Sequence, residues 1–180
     1  MTTLFRRSIL VALPLPLFGA AACAPKPTTT AMVPDLPPGL APAPAFRNAI
    51  GVGTVTIGQD TGTPWSSAVA PEQVRDAAVQ ALGKAGLGAA SGGRYRLDGT
   101  LMQLERPYAG FAMTVTATIA WRLVDAASGA VVYDRTLKSL GSASLDDAAD
   151  NAPRLRIADQ RAVRANLQQL VQDLSALPSR

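Results

Sequence analysis

The chain has 180 residues, nearly half of them hydrophobic, a formal charge of +4, one cysteine and no histidine. A lone cysteine forms no internal disulfide, and no His/Cys metal cluster can be assembled. Arg6 and Arg7 lie in the leader, and without them 15 basic residues face 13 acidic ones, a balance that carries no nucleic-acid footprint.

Residues 1–22 have the three-part form of a signal peptide. Arg6 and Arg7 make the positive start, and Ile9 to Ala22 is an apolar run of 14 residues, too short for a comfortable membrane span. Ala20-Ala21-Ala22 precedes Cys23 directly. This resembles a lipobox, in which the cysteine is diacylated and becomes the new N-terminus. Ala20 stands where leucine is usual, and Ala20-x-Ala22 also suits an ordinary signal peptidase, which would leave a soluble periplasmic protein. Phe5-Arg6-Arg7-Ser8-Ile9-Leu10 is similar to a twin-arginine export motif. Ala24 follows the cysteine where aspartate would signal retention, which resembles an outer-membrane address in the enterobacterial sorting rule.

Residues 23–45 read as the anchor and a Pro-rich tether. Seven prolines from Pro25 to Pro44 remove backbone donors and erase any helical or strand period. Fully extended, such a segment spans roughly 60 Å at about 3 Å per residue.

Residues 46–180 read as one α+β domain. Phe46 to Ile57 is a predicted strand; its Gly51-x-Gly53 sits within the strand and does not open a helix, so it is no nucleotide fingerprint. A loop carrying Trp65 leads to a helix that Pro71 starts and Gly86 stops. Tyr95 to Leu101 alternates, and Met113 to Leu123 alternates more strictly, with Val115, Ala117, Ile119, Trp121 and Leu123 opposite Thr114, Thr116, Thr118 and Arg122. Such alternation gives one buried and one wetter face. Asp125 to Gly129 is a hairpin turn, and Val131 to Leu140 returns. A last helix is expected from about Pro153, striped by Leu155, Ala162, Val163, Leu167, Leu170, Leu174 and Leu177, with Asn166 at the border. The order β-α-β-β-β-α predicts a two-layer sandwich: a four-stranded, mainly antiparallel sheet with two helices on one face.

Catalytic chemistry finds little to work with. The commonest general base, histidine, is absent. Lys138 and Ser139 are adjacent on a strand and point to opposite faces. Glu105 beside Arg106 reads as a surface pair. Asp146, Asp147 and Asp150 lack the spacing and central glycine of a calcium loop, and suit a helix start. No enzyme activity, cofactor or metal is expected. Candidate partner-binding residues are Trp65, Tyr108 and Phe111 in connections, and Arg156, Arg161 and Arg164 on the last helix with Arg154 beside them. Aromatics and arginines dominate interface energetics, and guanidinium groups suit phosphates.

Several stretches together resemble small Gram-negative lipoproteins: Thr54-Val55 leading into Pro64-Trp65-Ser66, Tyr95-Arg96-Leu97-Asp98-Gly99-Thr100-Leu101, Val115 to Leu123, Asp125 to Val132, and Arg154-x-Arg156-x-Ala158 with Ala162 and Asn166-Leu167. The pattern is similar to the ABC-type transport auxiliary lipoproteins and, more distantly, to the lipopolysaccharide-assembly lipoproteins. It spans most of the domain. The resemblance implies a non-catalytic periplasmic subunit that supports lipid or glycolipid traffic; with the anchor read at Cys23 and the address at Ala24, the expectation is a protein lipid-anchored at the periplasmic face of the outer membrane, with an envelope protein as partner. A carrier with an apolar pocket between helices and sheet is the alternative.

Overall fold

The structure, a computed structural model, describes residues 28–58, 69–106 and 112–178. The elements run α1 (Thr29–Met32), β1 (Ile50–Ile57), α2 (Pro71–Lys84), β2 (Tyr95–Glu105), β3 (Met113–Asp125), β4 (Val131–Ala143) and α3 (Asn151–Ser175), with a 3-10 turn at Pro44–Phe46. The four strands form one sheet in the order β1-β2-β3-β4. β1 runs parallel to β2, and the other two pairings are antiparallel. This is the expected α+β fold, with α2 as the crossover that a parallel pair requires.

Local chemistry sets the boundaries. Pro71 occupies the first turn of α2, and the Gln73 side chain accepts a hydrogen bond from the Ala70 amide at 3.0 Å. Gly86, at φ 69°, ends that helix in a conformation that costs glycine nothing. In the β3–β4 hairpin, the Asp125 carboxylate accepts hydrogen bonds from the amides of Ala127 and Ser128 at 3.1 and 3.0 Å. α3 begins two residues before Pro153, which therefore sits in the first turn, where its missing N–H has no partner to lose.

The alternation of β3 sends Val115, Ala117, Ile119, Trp121 and Leu123 under the helices, all fully buried. α2 packs on β1, α3 packs on β3 and β4, and the two helices touch. Leu82, Leu97, Leu167, Leu170 and Leu174 fill the space between the layers. Beneath the first half of α3 the core changes character, to Met113, Val115, Ala117, Ala143, Ala158 and Ala162. Small residues there bring helix and sheet into backbone contact. A Cβ added at Gly141 would lie 2.1 Å from the Ala162 nitrogen and 2.3 Å from the Ala158 oxygen. Gly141→Ala must push α3 off β4, and it is expected to cost about 1–3 kcal/mol or more, as overpacking does. Chemical denaturation checks this; an unchanged midpoint would show that the helix does not ride so close.

One expectation is corrected. From residue 28 onward the Pro-rich stretch is not a free tether. α1 contacts both α2 and α3. Met32, Val33 and Phe46 belong to the main core, and Leu36, Leu40, Ala43 and Ala45 pack against it. The Arg164 guanidinium donates to the Ala31 carbonyl at 2.9 Å. Phe46 lies against the Tyr95 ring, centroids 4.9 Å apart, so it closes this strap and does not open β1. Proline limits regular hydrogen bonding, yet apolar side chains between prolines still gain from burial.

Candidate partner-binding surfaces

The arginines of α3 are tied into the fold one by one. Arg154 is buried and donates to the Asn151 side chain. Arg156 is half-buried. Arg161 grips Asp147 through two bonds of 2.8 and 2.6 Å and donates to the Ser142 carbonyl at 2.7 Å. Arg164 holds the strap, as described. They do not converge on a common cleft. Arg161 keeps 46% of its side chain exposed, so part of its guanidinium faces solvent while the rest clamps the turn before α3. The Arg161 bond holds the Asp147 carboxyl down at about 2, and the carboxylate raises Arg161 in return. Cys23, Trp65, Tyr108 and Phe111 lie outside the described residues.

Arg106 does not pair with its neighbour Glu105 as expected. It reaches α3 and forms a two-bond pair with Asp159, at 3.0 and 2.7 Å. Asp159 is fully buried and Arg106 nearly so. Burial pushes the Asp159 carboxyl above its ordinary value, and the Arg106 guanidinium offsets only part of that rise. Sequence reading had no signal for this pair, since its partners stand 53 residues apart.

Asn166 is also more central than a border position implies. It is fully buried, accepts from the Trp121 indole N–H at 2.8 Å, and donates to the Leu137 carbonyl and Ser139 hydroxyl at 3.0 and 3.1 Å. Ser139 in turn donates to the Ala162 carbonyl at 2.9 Å. The chain of bonds staples α3 to β3 and β4 across the layers. At the far end of the helix Tyr133 donates to Asp173 at 2.8 Å, and burial together with that carboxylate pushes the phenol up.

Among the described residues no helix covers the opposite sheet face. Arg96 pairs with Asp98 and Arg122 with Asp134 across it. Leu140, opposite Thr116, stands 65% exposed on the same face. Among the described residues a depression of about 210 Å³ lies between Phe46, Tyr95, Asp125 and Leu177 at the sheet end. Among the described residues no three His, Cys, Asp or Glu side chains gather where they could hold a metal ion. No described helix is long and apolar enough to cross a membrane.

No family model matches the chain, and no curated protein matches it. Solved structures do. A Xanthomonas campestris protein of the DUF330 family superposes with a TM-score of 0.55 at 20% identity, over 79% of this chain and 93% of that one. The PelC dodecamer of Paraburkholderia phytofirmans gives 0.52 at 17%, over 76% and 93%. A minor lipoprotein of Acinetobacter baumannii superposes more loosely, at 0.48 and 12% identity, over 72% and 94%. The chain therefore shares the α+β fold of the Xanthomonas DUF330 protein and of PelC, and at these identities the likeness is one of fold.

Proposed function

We propose that this chain is a non-catalytic lipoprotein of the cell envelope, anchored through Cys23 at the periplasmic face of the outer membrane, serving as a binding or assembly subunit. The observation that carries this reading is the place of the only cysteine, directly behind an apolar leader and three alanines. The rest of the chain supports it. No histidine is available for proton transfer. Asp159, a buried carboxyl, is held by the Arg106 guanidinium inside the fold. The carrier alternative is poorly served, because Trp121, Leu167 and Leu170 occupy the space between the layers. A role in lipid or glycolipid traffic is the finer proposal, resting on the sequence resemblance. The Paraburkholderia structure is a dodecamer, so copies of this chain stand beside other envelope proteins as proposed partners.

The test begins with Cys23→Ala. The wild-type chain is expected to incorporate labelled fatty acid and to partition into detergent, since two acyl chains suffice for stable anchoring. The variant should incorporate none and should appear soluble or uncleaved. An unchanged partition sinks the anchor. Crosslinking the anchored protein in its own envelope then identifies the partner.

A further inference from the structure

The docked strap limits how the domain stands on a membrane. We infer that the α1–α2–α3 side faces the lipid bilayer at close range, and that the open sheet face is held away from it. The inference rests on the proposed anchor at Cys23.

The argument is one of chain length. Between Cys23 and Thr28, where the described chain begins, there are five residue steps. A fully extended chain covers at most about 3.3–3.6 Å per residue, so the leash reaches about 17 Å at most. A tether free to Ala45 would reach several times farther. The leash is short because α1 is docked: Met32 is fully buried, and Arg164 holds the Ala31 carbonyl.

The docking point is on the outside of the helix layer. α1 touches α2 and α3. Thr29 lies beside Arg75, Asp76, Val79 and Gln80, the solvent side of α2, whereas Val74, Ala78 and Ala81 form its buried side. Helices packed at 8–10 Å, with a sheet a further layer behind, put the open face roughly 20 Å beyond α1. To lay that face on the bilayer, the leash would have to cross this depth and half the width of the domain as well. It is too short. The occupant of the helix side is thus a lipid surface, set by where the chain leaves the fold and how little of it remains before the anchor.

The experiment uses the full-length lipidated protein with one added thiol, Gln80→Cys beside Thr29 or Lys138→Cys on the open face, each carrying a donor dye. Both positions are exposed. The protein is reconstituted into vesicles of phosphatidylethanolamine and phosphatidylglycerol with an acceptor dye on the headgroups. Transfer from position 80 is expected to exceed that from position 138 by about threefold, given the roughly 20 Å offset between the faces. A long Gly-Ser insert after Ala24 should erase the difference, because a flexible linker restores reach. Equal transfer from both sites in protein that floats with the vesicles overturns the orientation and leaves the anchor standing. Protein that fails to float overturns the lipoprotein reading itself, and the orientation with it.

Discussion

Trp121→Ala is expected to lower the stability of the domain by about 3–5 kcal/mol, the range for deleting a buried large aromatic. The ring is fully buried on β3 and lies over Gly99, its cross-strand partner on β2. A Cβ at Gly99 would come within 2.7 Å of that ring, so the two positions share one space. The indole N–H also supplies the proton that Asn166 accepts. Alanine would leave a cavity and, beside it, a buried amide oxygen without its donor. Trp121→Phe separates the two effects. It keeps most of the buried area and removes only the donor, so it should cost about 1–3 kcal/mol. Domains of ordinary stability hold about 5–15 kcal/mol, so the alanine variant should melt far below the wild type, or not fold. A near-neutral Trp121→Ala in denaturant titration would mean that the staple between the layers is elsewhere.

Arg106→Ala is the second large effect, and its signature is pH dependence. Removing one partner of a buried pair leaves the other charge uncompensated, at a cost of about 3–5 kcal/mol. Asp159 already has its carboxyl raised by burial, with Arg106 the influence that lowers it. Without Arg106 the folded-state value moves higher still. A carboxyl raised above its unfolded value takes up its proton more readily in the folded state, so stability improves as pH falls toward that value. The deficit of Arg106→Ala should therefore be greatest at neutral pH and shrink in mild acid. Asp147 works with the opposite sign. Its carboxyl is held at about 2, below the unfolded 3.8, so its contribution is present above 3.8 and is lost as pH falls from there toward 2. Comparing pH 7 with pH 5 stays above that window, so Asp147 does not contribute to the difference. A deficit that is the same at both pH values would refute a buried, charged Asp159.

The features that sequence made legible are those with a short period. The two-residue alternation of β3 located Trp121 on the buried face before any coordinates, and the apolar stripe of α3 placed Leu167, Leu170 and Leu174. The hairpin at Asp125 was equally plain, because its capping bonds are local. What was hidden depends on distance along the chain. Arg106 and Asp159 look like two unrelated surface charges until the fold brings the end of β2 within reach of α3. Asn166 looked peripheral because its partners, Trp121, Leu137 and Ser139, come from strands. The Pro-rich stretch misleads for a different reason: its composition describes the backbone, whereas the docking of Met32 and Val33 depends on a groove between α2 and α3, both far along the chain. Trp65, Tyr108 and Phe111 are candidates by residue type, since aromatic side chains dominate interface energetics.

That groove has a consequence for the order of events during biosynthesis. Ala31 and Arg164 are separated by 133 residues, and β1 finds its parallel partner only after the whole of α2 has been made. α1 packs on both α2 and α3, so a chain produced from its N-terminus completes that seat only when α3 has been made, and closing so long a loop is entropically slow. The strap from Thr29 to Phe46 is thus the last part of the described chain to settle on the domain.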